Sequence, residues 1–165
     1  RDPTPFFKAI KALLAGDKIT KNEIEINFYG SNVFTLAKQV QALGLADIVF
    51  LHPPVPHQEA LFIQKNSSAL LFLEWNDPAA KGVLTGKIFE YLISGTPIVA
   101  IGITEKTEIA KLIKKTKTGY ICGNDIPKIK KTILKIKNRE VLQPNQQEIQ
   151  KYSKENLVRK LLDIL

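Results

Sequence analysis

Apolar positions along this chain switch period repeatedly. In "TPFFKAIKALLAG", Phe6, Phe7, Ile10, Leu13 and Leu14 recur at helical spacing, and Gly16 follows as a stop. "EIEINFYG" alternates instead, with Ile24, Ile26 and Phe28 on one side, which predicts a strand. "NVFTLAKQVQALG" returns to the helical period and ends at Gly44, "DIVFLHPP" is a strand halted by prolines, and "HQEALFIQKNS" is a short helix. "ALLFLEW" is an almost unbroken apolar run, as expected of a strand covered on both faces. The helix "TGKIFEYLISG", the strand "PIVAIG", the helix "TEIAKLIKKTK" and the short strand "GYICG" follow. Two helical stretches, "DIPKIKKTILKIKN" and "NQQEIQKYSKENLVRKLLDIL", close the chain.

Strands that alternate with helices pair in parallel, and right-handed crossovers wind the helices onto both faces. The expected fold class is α/β, a doubly wound parallel sheet with helices on both faces. Such a unit opens on a central strand, whereas this chain opens on a helix, so the first strand is expected upstream of Arg1 or from another segment of the protein. Residues 1–140 are expected to form one ligand-binding domain. Residues 141–165 are expected to be a C-terminal helical segment packed on that domain or on an N-terminal domain outside this sequence. Ligands of doubly wound folds bind beyond the carboxyl ends of the strands. The loops that matter are therefore "YGSN", "LHPPVPHQ", "EWNDPAAKGVLTGK", "IGITEK" and "CGNDIP".

Composition narrows the options. A length of 165 residues suffices for one domain with a real core. The longest apolar runs are too short to span a bilayer, and the opening "RDPTPFFKAI" has no apolar stretch of a signal peptide. Cys122 is the only cysteine, which excludes an intrachain disulfide and a cysteine-rich metal centre. It reads as a small residue in a strand, and a reducing cytoplasm fits it. No His, Asp or Glu cluster has ligand spacing, so no metal is expected.

The net charge of +8 is concentrated. Residues 106–137 hold ten lysines against Glu108 and Asp125, while the remainder balances at 14 basic and 14 acidic residues. Such a face is either a set of solvated lysine-rich helices or a seat for an anionic membrane surface. Tyr120 is its only aromatic residue, which weighs against nucleic acid.

The longest strand-to-helix loop, "EWNDPAAKGVLTGK", carries Gly82 and Gly86 and ends at a helix start. Glycines let backbone approach a ligand, and the amides of a helix N-terminus suit phosphate. Thr85 is placed as the N-cap. Lys87 in the first turn opposes the helix dipole, which makes sense beside a bound diphosphate; Glu90 lies one turn on, on nearly the same face. A simple Lys87–Glu90 surface pair is the plainer account. The stretch is not a P-loop, because three residues separate its glycines and Ile88 stands where Ser or Thr is required. No G-x-G-x-x-G occurs.

With its neighbours, "GVLTGKIFEYLISGTPIVAIG" resembles the nucleotide-sugar-binding half of a GT-B-fold glycosyltransferase, close to the retaining family 4 type. The resemblance extends over most of the chain, through "INFYGSN", "ADIVFLHPPVPHQEALFIQKNSSALLFLEW", "TGYIC" and "YSKENLVRKLLDIL". It implies a Rossmann-like donor domain in which Glu90 meets the ribose hydroxyls. The backbone of Val83, Leu84, Thr85 and Gly86 would hold the diphosphate, and Lys87 would neutralise phosphate or reach the sugar. Val55 would contact the base through its backbone, His57 by stacking or an edge bond, and Gly30 would let the chain turn close to the ligand. Taken alone, His57 also reads as an ordinary helix-start residue, His52 as structural, and Gly30 as a strand-end turn.

The resemblance further implies glycosyl transfer from a UDP-, GDP- or ADP-sugar, without a further cofactor. The acceptor and the missing catalytic groups would lie on an N-terminal domain, so this portion alone is expected to bind donor without turnover. A bacterial enzyme of polysaccharide biosynthesis is expected, cytoplasmic or peripheral at the inner membrane face. The family pairs two glutamates as E-x7-E, and here Gly82 stands eight positions before Glu90; Glu74 and Asp77 are the nearest other carboxylates. A degenerate regulatory nucleotide-binding domain and a GT-B-like nucleotide-sugar epimerase stand as the other readings.

Overall fold

The computed structural model describes residues 2–74, 84–153 and 156. Its elements are α1 (Thr4–Ala15), β1 (Ile26–Tyr29), α2 (Ala37–Ala42), β2 (Val49–His52), α3 (His57–Asn66), β3 (Leu70–Leu73), α4 (Gly86–Ser94), β4 (Ile98–Ile101), α5 (Glu108–Thr116), β5 (Gly119–Gly123), α6 (Ile126–Lys137) and α7 (Gln146–Gln150). Local chemistry sets several of these ends. Thr107 and Asp125 cap α5 and α6 by accepting from the amides of Ala110 and Lys128. α4 stops at Gly95, whose φ of 78° places it in the left-handed region that glycine adopts without strain.

Among the described residues, all strand pairing is parallel. β4 pairs with β3 on one side and β5 on the other, and all four of its residues are buried. Val99 and Ile101 enter a core shared with Phe7, Ile10 and Leu13 of α1 and with Ile129 and Ile133 of α6. Ile98 and Ala100 enter a second core with Ile88 and Leu92 of α4 and Ile109 and Ile113 of α5. Alternation along one apolar strand thus feeds two helical layers. The fold class is α/β, with parallel strands flanked by helices on both faces.

Three details differ from the periodicity. The strands form two sheets, β1–β2 and β3–β4–β5, rather than one. β1 begins at Ile26, so Ile24 lies outside the ladder. The stretch from Asn32 onward splits into a 3-10 turn, Val33–Leu36, and then α2. There, Thr35 Oγ1 donates to the Asn32 carbonyl at 2.7 Å, and the β-branched and aromatic residues at its start are poor helix formers. Of the closing stretch, α7 ends at Gln150; residues 154, 155 and 157–165 lie outside the described residues, as does Arg1.

α7 is fastened to the α4–α5 layer. The Asn145 amide donates to the Thr116 carbonyl at 2.8 Å, Tyr152 stacks on Phe89 with ring centroids 5.7 Å apart, and Glu148 bridges Lys115 and Lys151. Hydrogen bonds from Lys151 and then Lys115 hold the Glu148 carboxyl below the ordinary carboxylate range. A depressed folded value means that this contribution is complete above the ordinary range and disappears as pH falls through the lowered one. The melting-temperature gap between the wild type and Glu148→Gln should therefore close on acidification and stay constant near neutrality. A backbone contact gives a second expectation. A Cβ on Gly119 would lie 2.2 Å from the Ile98 carbonyl oxygen, so Gly119→Ala should cost about 1–3 kcal/mol in urea unfolding.

Candidate functional site

Parallel strands bring their following loops to one end of the sheet. At β1, Gly30 takes φ of 149°, a conformation that side chains resist, and donates its amide to the His52 carbonyl at 3.2 Å. At β2, His52 is built into the sheet. Its ring stacks on Tyr29 at 4.5 Å between centroids, and Nε2 meets Asn27 Oδ1 at 2.7 Å. That accounts for His52 as a structural residue. Pro53, Pro54 and Pro56 then carry the chain past half-buried Val55 to His57, the first residue of α3.

α4 supplies the other wall. Leu84 is exposed, Thr85 has N-cap backbone geometry, and Gly86 begins the helix. The capping hydrogen bond expected of Thr85 is not made: its Oγ1 is buried without a hydrogen-bond partner among the described residues. Exposed Lys87 lies in the first turn and half-buried Glu90 one turn on. Glu90 faces α3, where Gln64 Nε2 donates to its Oε2 at 3.4 Å and His57 Nδ1 stands 3.9 Å from its Oε1. Lys87, Glu90 and Val55 line one groove of about 1630 Å³. The structure thus brings Val55, His57, Thr85, Gly86, Lys87 and Glu90 to the same side of the molecule, with Gly30 at the neighbouring strand end. Val83, Gly82 and Asp77 lie outside the described residues, and Glu74 is buried at the end of β3.

Gln64 was not among the residues singled out from sequence. The available signal was spacing, since it follows His57 by two helical turns and shares its face. Its Oε1 is buried and without a hydrogen-bond partner among the described residues. Chemically, the arrangement offers a carboxylate held by a neutral amide, a nearby imidazole, an ammonium group and the amides of a helix N-terminus. Among the described residues, no three His, Cys, Asp or Glu side chains are grouped to hold a metal ion, and no helix is long and apolar enough to cross a membrane.

Among solved structures, the chain is similar to TarM, a glycosyltransferase of GT-B fold, with a TM-score of 0.59 and 19% sequence identity. The domain has the Rossmann-like fold of a GT-B half. The likeness covers 98% of this chain and 32% of TarM, so the chain spans about a third of that protein's length. No family model matches the sequence, and no curated protein matches it.

The Thr85 hydroxyl, without a hydrogen-bond partner among the described residues, gives a test of the site's construction. Thr85→Val removes a buried polar atom at nearly constant volume, so urea unfolding should show unchanged stability or a gain of up to about 1 kcal/mol. A loss of that size would instead reveal a hydrogen bond at Oγ1.

Proposed function

We propose that this domain binds the donor of a glycosyltransferase, a nucleotide diphosphate sugar, in the groove between α3 and α4. The observation that carries the reading is Glu90. It is a half-buried carboxylate one turn into α4, oriented by Gln64 and set beside Lys87 and the helix start. A carboxylate has two acceptor oxygens and can meet both hydroxyls of a vicinal diol, as ribose presents them. The diphosphate would then lie against the N-terminus of α4, where backbone amides and the helix dipole favour negative charge. Lys87, in the first turn, adds a cation to the same place.

During transfer the diphosphate leaves with growing negative charge. Amides and an ammonium already in position stabilise that charge without reorganising, which lowers the barrier. His57 and Val55, beside the ribose position, would meet the base. The acceptor and the remaining catalytic groups would come from a second domain, as in a two-domain GT-B enzyme; turnover belongs to the whole protein. The retaining, family 4-like assignment rests on "KIFEYLISGTPIVA". One observation favours a second reading, nucleotide binding without transfer: Gly82 replaces the first carboxylate of E-x7-E.

The lysine-rich segment would seat the protein on an anionic membrane surface. Several of its lysines are neutralised, including Lys111 by Glu108, Lys114 by Glu105, Lys115 by Glu148 and Lys137 by Glu23. Lys106, Lys117, Lys130 and Lys131 have no carboxylate partner among the described residues, and each near a membrane adds about 1 kcal/mol.

Calorimetric titration with UDP, GDP and ADP tests the donor site. One of the three should bind, and Glu90→Ala should weaken that nucleotide by about 1–3 kcal/mol. Equal binding by the wild type and Glu90→Ala would remove Glu90 from the site. Silence towards all three, in both this chain and a two-domain protein containing it, would end the glycosyltransferase reading.

A further inference from the structure

Side chains hold the carboxyl-terminal end of α3. The last carbonyls of a helix have no intrahelical amide to accept from. Here Ser67 Oγ donates to the Ile63 carbonyl at 2.7 Å, and Thr96 Oγ1 donates to the Gln64 carbonyl at 2.8 Å. Ser67 is the next residue after the helix, whereas Thr96 lies 32 residues beyond Gln64, in the turn that follows α4. Thr96 is only 5% exposed, so its hydroxyl is committed to that carbonyl rather than to water.

The turn is itself fastened to α4. Ser94 Oγ donates to the Tyr91 carbonyl at 2.8 Å and accepts from the Thr96 amide at 3.2 Å. Gly95, in the left-handed conformation, bends the chain between them. Gln64 therefore has two attachments to one neighbour. Its backbone is tied through Thr96 to the end of α4, and its side chain donates to Glu90 in the middle of α4 at 3.4 Å. Thr96, Gln64 and Glu90 close a circuit that runs across to α3 and back along α4.

A bond of 3.4 Å is long for its type, so it depends on the spacing between the two helices. That spacing is what the Thr96 hydroxyl fixes. A glutamate already held in one rotamer meets a ligand without giving up further side-chain freedom. We propose, resting on the reading of Glu90 as the ribose contact, that Thr96 and Gln64 are positioning residues for the diol. Thr96 sets the place of Gln64, and Gln64 sets the rotamer of Glu90. Preference for a ribonucleotide over its dideoxy counterpart is then governed in part by a buried hydrogen bond between the end of α3 and the turn after α4.

Calorimetric titration compares UDP, GDP and ADP with their 2′,3′-dideoxy counterparts, on this chain and on a two-domain protein containing it. The wild type should prefer the diol form of the nucleotide it binds by about 10- to 100-fold. Thr96→Val keeps the volume and removes the donor, and Gln64→Met removes the side-chain amide. Each should cut that preference at least about fivefold by weakening the diol form, with dideoxy affinity unchanged. Thr96→Ser keeps the hydroxyl and should retain the wild-type preference. Gln64→Met leaves the Thr96 bond to the backbone intact, so it reads the link to Glu90 even where Thr96→Val fails to fold. An unchanged preference in either variant overturns the proposal. Equal weakening of both nucleotide forms also overturns it, as the mark of a merely structural contact. Wild-type binding without preference for the diol overturns it while leaving the donor site in place. Silence towards every nucleotide in both proteins ends the donor reading, and the proposal with it.

Discussion

Ile98–Ile101 has no side that water can reach, and the architecture follows from that one strand. Its odd and even residues enter different cores, so helices must cover both faces of the sheet. With both faces closed, chemistry is left to the ends of the strands. Parallel pairing gathers the connecting loops at one end, which is why Gly30, Val55, His57 and Lys87 lie near one another although they come from distant parts of the chain. Gly119 shows how tightly the strand is enclosed, since even a methyl group there would meet the Ile98 carbonyl.

The order of elements and their parallel arrangement were legible because the apolar period changes cleanly between "ALLFLEW", "TGKIFEYLISG" and "PIVAIG". The division into two sheets was not, since pairing is a tertiary fact that no period encodes. Local competition hid the break at residues 33–36, where a Thr35 hydroxyl bond turns a helix-like pattern into a tighter coil. In the site, Glu90 and Lys87 stood out as charges in an apolar stretch. Gln64 did not, because an amide on a polar helix carries no signal until its neighbour across the interface is known. The Thr85 hydroxyl shows the converse: its position was correct, and its expected hydrogen bond is absent.

The electrostatic character of the site comes from what holds Glu90. Its hydrogen-bond donor is a neutral amide, and the His57 imidazole stands 3.9 Å from its other oxygen. An arginine in the place of Gln64 would grip the carboxylate more firmly through charge-assisted hydrogen bonds. The glutamates of the lysine-rich side show that alternative. Glu105 is engaged by Lys114 and Lys128 together, and hydrogen bonding to Lys114 holds its carboxyl low. Those carboxylates are tied up in the scaffold's ion pairs, whereas Glu90 meets a neutral amide.

Parallel pairing also has a kinetic consequence. Every strand partner, such as Leu70 with Ile98 or Ile98 with Gly119, is separated along the chain by an intervening helix. No strand can zip onto its neighbour through a tight hairpin, so loop closure must be met before any ladder forms. Helices such as α5 and α6 can form early, and the sheet last. During that interval the apolar runs around "LLFL" and "IVAI" stand exposed together, which makes the newly synthesised chain a natural client for chaperones.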